Sequence, residues 1–191
     1  MKINKSENEI DPAIKEKITN LENGTVLLAT DVLQDPNFIS SVVLICLYSK
    51  ENGAYGLILN KPSHMPPCEI CDSLSDIKDP REIFIGGPVQ QDVIQVISIS
   101  DTPIDNSYQL ASNVYLGGKW QDVNEIFFLP KESHKIYLGY SGWAPGQLEK
   151  EIEWGAWDVY KVNIEKLLRN IPKISIKDTK KIASFLEEIK K

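Results

Sequence analysis

The stretch "SVVLICLYSKENGAYGLILN", Ser41 to Asn60, fixes the class of fold. Its first nine residues are apolar at nearly every position, which marks a strand covered on both faces. Asn52-Gly53 is a tight-turn dipeptide. "AYGLILN" (54–60) then reads as the antiparallel partner. Outward from this hairpin, further strands are expected over 25–30, 82–87, 92–100, 134–142 and 157–162, with one or two more in 108–117. Between them lie short helical stretches over 66–77, 120–129, 144–154 and 163–170. A helix over 11–24 has Asp11 as N-cap and Pro12 in its first turn, and Asn163 and Asp178 are expected caps further on. The segment 178–191 is amphipathic, with an apolar stripe of Ile182, Phe185, Leu186 and Ile189. Neighbouring strands with short, irregularly placed helices predict an α+β fold: a single compact domain with a mixed, largely antiparallel sheet. Residues 1–22 read as a mobile segment carrying a short helix. Residues 23–191 read as the domain, ending in the amphipathic helix.

The chain has 191 residues, 42% hydrophobic and 25% charged, the balance of a soluble globular protein. Its start is polar, and its longest apolar run, "VVLICLY" (42–48), is far short of the ~20 residues that cross a bilayer. The expectation is a cytoplasmic protein with no membrane partner. Three cysteines without an export signal argue against a disulfide framework. Net charge is −6, and Arg81 and Arg169 are the only arginines, which disfavours nucleic acid as a partner.

Tyr137–Trp157, "YLGYSGWAPGQLEKEIEWGAW", holds three of the four tryptophans and four of the eleven glycines. It reads as strand, turn, helix, turn, strand. Gly142 is expected to turn the backbone, Pro145 to open the helix, and Gly155 to follow its end. Leu148 and Ile152 share a buried face, and Trp154 and Trp157 are both expected inside. A second reading gives the strand end to a ligand, with Ser141, Gly142 and Gln147 as polar groups and Trp143 as a platform.

This stretch resembles the signature of the YqgE/AlgH family of bacterial proteins. "GTVLLATDVLQDPNFISSVVLI" (24–45), "GAYGLILNKP" (53–62) and "FIGGPVQQD" (84–92) resemble it too, in the expected order. The resemblance implies a compact α+β domain with a complex sheet. It implies no reaction, although some members are labelled transcriptional regulators. Two departures stand out. The segment "SNVYLGGKWQDVNEIF" lacks a Ser-Asp helix start, and the lysine-rich segment after 163 lacks a late tryptophan.

Chemistry-bearing patterns are few. "GYSGW" approaches a nucleophile elbow, but Trp143 stands where glycine is needed, and only His64 and His134 offer a base. Cys68 and Cys71 with His64 give H-x3-C-x2-C, half a zinc site with no second pair, and Cys46 reads as a core residue. Glu149 and Glu153 lie one helical turn apart, as on a solvated face. No phosphate loop occurs. No catalytic residue, metal set or cofactor is therefore assigned.

What remains is a set of strand ends: Asn60 and Lys61, then Gly86, Gly87 and Pro88, then Ser141, Gly142, Trp143 and Gln147. If they converge, they form a recess for a small molecule; the bland alternative is turn chemistry. The expected function is a small-molecule-binding or protein-interaction module with a regulatory role. The alternative is an enzyme working through Lys61, Ser141 or a glutamate, and direct DNA binding is a third. The partner is an unknown small molecule or protein.

Overall fold

The computed structural model describes residues 10–70, 82–119 and 123–191. The central hairpin forms as its turn dipeptide dictates: β2 (Val42–Ser49) pairs antiparallel with β3 (Gly53–Ile58). Around it lie β1 (Val26–Ala29), β4 (Ile83–Ile85), β5 (Val89–Ile99), β6 (Ser107–Ala111), β7 (Val114–Gly117), β8 (His134–Trp143) and β9 (Trp157–Tyr160). They make one sheet in the order β6-β7-β5-β8-β3-β2-β1-β9, with β4 beside β8 off that path. Among the described strands only β4–β8 is a parallel pair, so the sheet is mixed and largely antiparallel. With the short helices around it, this is an α+β single domain.

Strand alternation sends side chains to opposite faces. Val26, Leu28, Val42, Leu44, Leu57 and Tyr137 face one core, which is covered by α5 (Ile164–Asn170), the 3₁₀ turn Ile171–Lys173 and α6 (Thr179–Glu188). Leu27, Val43, Ile45 and Ile58 face another, covered by α4 (Gln147–Glu153), with Ile14 and Ile18 of α1 (Pro12–Thr19) against it. A third cluster joins Ile83, Val96, Ile136 and Leu138 to Ile126 and Phe127 of α3 (Val123–Phe128), with Ile70 of α2 (Pro67–Ile70) packed against it.

The expected caps form. Asp11 accepts from Ala13 N, Asn163 from Lys166 N and Asp178 from Lys181 N. Ile182, Leu186 and Ile189 are buried along the last helix. The expected helix over 66–77 is described only for Pro67–Ile70, and Cys71 lies outside the described residues.

Three expectations are corrected. Gly142 does not turn the chain: it stays in β8, opposite Tyr55, and the strand runs on to Trp143. Pro145 does not open α4; Gly146 caps it in the left-handed region, φ 76°. Trp154 is not inside but 71% exposed, whereas Trp157 is 1% exposed. Trp154 caps α4 two residues past Ile152, on the side away from the buried Leu148–Ile152 face, whereas Trp157 opens β9, paired with Ala29 of β1.

Candidate functional site

β8 is the pivot of the sheet. Its first part pairs with β5 on one edge and β4 on the other, and its last three residues, 141–143, pair with β3. β4 is therefore wedged into a fork between β3 and β8. Gly86 sits in the crotch: its N–H donates to Leu138 O at 2.7 Å, and its carbonyl accepts from Ile58 N at 2.8 Å. The chain after β3 runs back along β4, with Ile85 N donating to Lys61 O and Ser63 N to Ile83 O. A Cβ on Gly86 would fall 2.4 Å from Gly139 O, and one on Gly87 2.2 Å from Tyr140 C. The paired glycines are there because backbones of two segments meet at a distance no side chain permits.

The three predicted segments thus converge, but as backbone packed on backbone. Ser141 is fully buried, and its Oγ donates to Gly86 O at 3.1 Å. Asn60 is 3% exposed; its Oδ1 accepts from Val42 N and its Nδ2 donates to Ser40 O, tying the start of β2 to the end of β3. Lys61 Nζ donates to the carbonyls of Pro36 and Asn37 at 3.2 and 3.4 Å. Gly142 lies in the β3–β8 ladder, and Pro88 is exposed between β4 and β5.

Trp143 and Gln147 belong to a second arrangement. Trp143 is buried among Phe38 and Trp157, so it offers no platform to solvent. Its Nε1 donates to Glu151 Oε2 at 2.9 Å, and Trp157 Nε1 donates to the same oxygen at 2.8 Å. Gln147 bridges the helix start, accepting from Ala144 N and donating to Glu151 Oε1 at 2.9 Å. In the sequence Glu151 reads, with Glu149, only as a negative charge suited to the N-terminal half of the helix, and not as a shared acceptor. The signal for an acceptor was present: two buried indoles each need one, and three carboxylates, Glu149, Glu151 and Glu153, lie between them in the chain. Glu149, expected on a solvated face, accepts from Tyr48 Oη at 2.7 Å.

Of the remaining candidates, His134 and Cys46 are also turned to the protein itself. His134, at the far end of β8, has Nδ1 against Ser133 Oγ and Pro130 O, both at 3.1 Å. Cys46 is buried in the core, and burial pushes its thiol well above the usual range. Cys68 is exposed.

Free polar groups gather elsewhere. The end of β9 and the turn before β1 approach the β6–β7 turn beside the start of α5. There an open cleft of about 450 Å³ is lined by Asp101, Ser112, Asn113, Asn163, Glu165 and Lys191. A second, of about 220 Å³, shares Ser112 and Lys191 and extends to Asn23 and Lys161. Asn113 Nδ2 donates to Glu165, whose other oxygen accepts from Arg169 Nε at 2.9 Å. These bonds, Asn113 first, hold the Glu165 carboxyl below its usual range. The side chains of Asp101, Ser112 and Lys191, and Nδ2 of Asn163, make no hydrogen bond among the described residues. Sequence reasoning had no route to this cleft, because its walls come from four segments distant in the chain, at 101, 111–113, 163–165 and 191.

The architecture defines a class: an α+β domain on a forked sheet, with its glycine and tryptophan motifs spent on the fork and on one corner. A family model described as AlgH-like (DUF179) matches residues 26–177, and the chain belongs to that family. It is 35% identical over 140 residues to a UPF0301 protein of Chlorobaculum tepidum, covering 72% of this chain and 73% of that one. To a UPF0301 protein of Chlorobium limicola it is 37% identical over 144 residues, with 72% and 73% covered. The solution structure of the AlgH protein from Pseudomonas aeruginosa matches with a TM-score of 0.66 and 26% identity, over 87% of this chain and 89% of that one. A crystal structure from Corynebacterium diphtheriae matches with a TM-score of 0.65 and 25% identity, over 82% and 83%. No helix among the described residues is long and apolar enough to cross a membrane.

Proposed function

We propose that this AlgH-like chain is a cytoplasmic binding module with a regulatory role, and that it holds a small polar molecule in the cleft between the β6–β7 turn and α5. One contrast supports this reading. At the family motifs the polar side chains of Asn60, Lys61, Ser141, Trp143 and Gln147 each have a partner within the protein. At the cleft, Asp101, Ser112, Lys191 and Asn163 Nδ2 keep hydrogen-bonding capacity. A ligand offering both donors and acceptors suits a wall with a carboxylate, a hydroxyl, an ammonium and an amide N–H₂. A module that binds without reacting acts through occupancy, which is the sense in which the role is regulatory.

The test is thermal shift against a panel of amino acids, sugars and nucleosides, with Asn163→Asp as the control. Aspartate keeps the helix-capping oxygen and removes the free donor. The expected result is a compound that raises Tm in the parent and not in N163D, whose unliganded Tm is retained. A panel with no stabiliser, or a shift equal in both proteins, would count against the cleft.

A further inference from the structure

The cleft between the β6–β7 turn and α5 carries charge of both signs, and most of it is neutralised. Glu165 accepts from Asn113 and from Arg169. Lys161 and Glu22, which line the adjoining hollow, pair with each other at 2.7 Å. Lys190 pairs with Glu187 at 3.2 Å. Two charges are left over, the Asp101 carboxylate and the Lys191 ammonium. Both residues line the cleft, and neither side chain forms a hydrogen bond or an ion pair with the other or with any other described residue.

Each of the two stands on an anchored backbone. Asp101 sits in a turn closed by Ser100, whose Oγ accepts from Thr102 N at 3.2 Å and donates to Thr102 O at 2.8 Å. Ser100 N in turn donates to Asn113 O at 2.9 Å. Lys191 N donates to Lys161 O at 3.0 Å, beside the bridge between Val162 and Lys190. The walls also discriminate among ligands. The described lining residues include no aromatic ring on which a nucleobase would stack, and no arginine. A phosphate would meet one ammonium against two carboxylates, Asp101 and Glu165. A molecule with one ammonium and one carboxylate leaves neither free charge unopposed, and Ser112 and Asn163 Nδ2 keep hydrogen-bonding capacity for its remaining polar atoms.

We infer that the cleft takes a zwitterion, a free α-amino acid, with its carboxylate on Lys191 Nζ and its ammonium on the Asp101 carboxylate. The inference rests on the cleft reading above and adds the class of ligand. The cleft volume of about 450 Å³ lies in the range of small-molecule sites. Removing a charge from either end of the ligand leaves the facing protein charge without its partner, so selectivity is set at both ends.

The probes are the common free L-amino acids, with glucose, adenosine and inorganic phosphate beside them, each titrated into the ¹⁵N-labelled full chain and followed by ¹H–¹⁵N chemical shifts. An amino acid that binds is then compared with its N-acetyl derivative, which lacks the ammonium, and with its α-amide, which lacks the carboxylate. The expected result is an amino acid that moves Ser112, Asn113 and Asn163, with each blocked form binding about fivefold more weakly. Asp101→Asn should lower the amino acid to the affinity of its N-acetyl form, and Lys191→Met to that of its α-amide. Both side chains are exposed, so both variants should keep the parent Tm, and loss of binding is not loss of fold. Glucose, adenosine or phosphate shifting the cleft while every amino acid leaves it silent would overturn the inference and leave the cleft reading standing. Blocked forms that bind equally, or variants that bind like the parent, would also overturn the inference alone. No shift from any probe would overturn both.

Discussion

Trp143 and Trp157, fourteen residues apart in the chain, donate their indole N–H groups to one oxygen of Glu151 while their rings meet edge-on at 6.1 Å. Removing the acceptor strands two donors, one on a nearly buried ring and one on a fully buried ring. Hydrogen bonds to a charged group contribute roughly 1.5–3 kcal/mol each, and an orphaned donor costs more than a deleted pair. Glu151→Ala is expected to destabilise by about 3 kcal/mol in urea unfolding. Glu151→Gln keeps one acceptor and should lose about 1 kcal/mol. A Glu151→Ala protein within about 0.5 kcal/mol of the parent would contradict the shared-acceptor account.

Gly87 and Gly146 make a second contrast. A Cβ at Gly87 would meet Tyr140 C at 2.2 Å and Ser141 N at 2.4 Å, all backbone that cannot step aside. At Gly146 nothing lies within 4 Å, and only its φ of 76° resists a side chain. Gly146→Ala should cost about 1 kcal/mol. Gly87→Ala should open the fork and fail to give a cooperative melt. Equal Tm values for the two variants would remove the argument that the paired glycines exist for close approach.

Ser141→Ala bears on the catalytic alternative. The hydroxyl donates to Gly86 O, which also accepts from Ile58 N, so its loss leaves that carbonyl satisfied. The expected cost is about 1 kcal/mol, the net value of one neutral hydrogen bond. Ligand stabilisation at the cleft should be unchanged. If Ser141→Ala instead abolished a ligand response with Tm intact, Ser141 would have to act outside the fork.

The pH dependence of stability follows from Glu165. Asn113 and Arg169 hold its carboxyl below the ordinary 4.5, so its folded value is lower than its unfolded one. The group therefore contributes stability that is fully present above the unfolded value. That contribution is lost as pH falls through the folded one. Tm measured from pH 6 down to pH 3 should decline less steeply in Glu165→Gln and in Asn113→Ala than in the parent. Parallel curves would mean that the Asn113–Glu165 bond carries no linkage.

Much of the fold was legible wherever a local rule and a tertiary role agree. Asn52-Gly53 between two apolar runs gave the central hairpin, and Asp11, Asn163 and Asp178 cap the helices that follow them. The rest was set by partners distant in sequence. Gly86-Gly87 reads locally as a strand end, and only the parallel pairing of β4 with β8, some fifty residues on, makes it a fork. Gly142 has the composition of a turn, yet the ladder with β3 keeps it extended, and the left-handed position goes to Gly146. Trp157 is buried by its place in β9, paired with Ala29 of β1, whereas the exposure of Trp154 depends on the phase at which a seven-residue helix ends. Convergence of the motifs was readable from their shared strand-end character. That their polar side chains would be taken up by partners within the protein was not.

The most direct test of the central claim is residue-by-residue mapping of a stabilising small molecule on the ¹⁵N-labelled chain. The account predicts that the largest amide and side-chain shifts fall on Ser112, Asn113 and Asn163, with the fork residues Gly86–Pro88 and Ser141 unmoved. Shifts concentrated at Asn60, Gly87 and Ser141–Gln147, with the cleft silent, would contradict it.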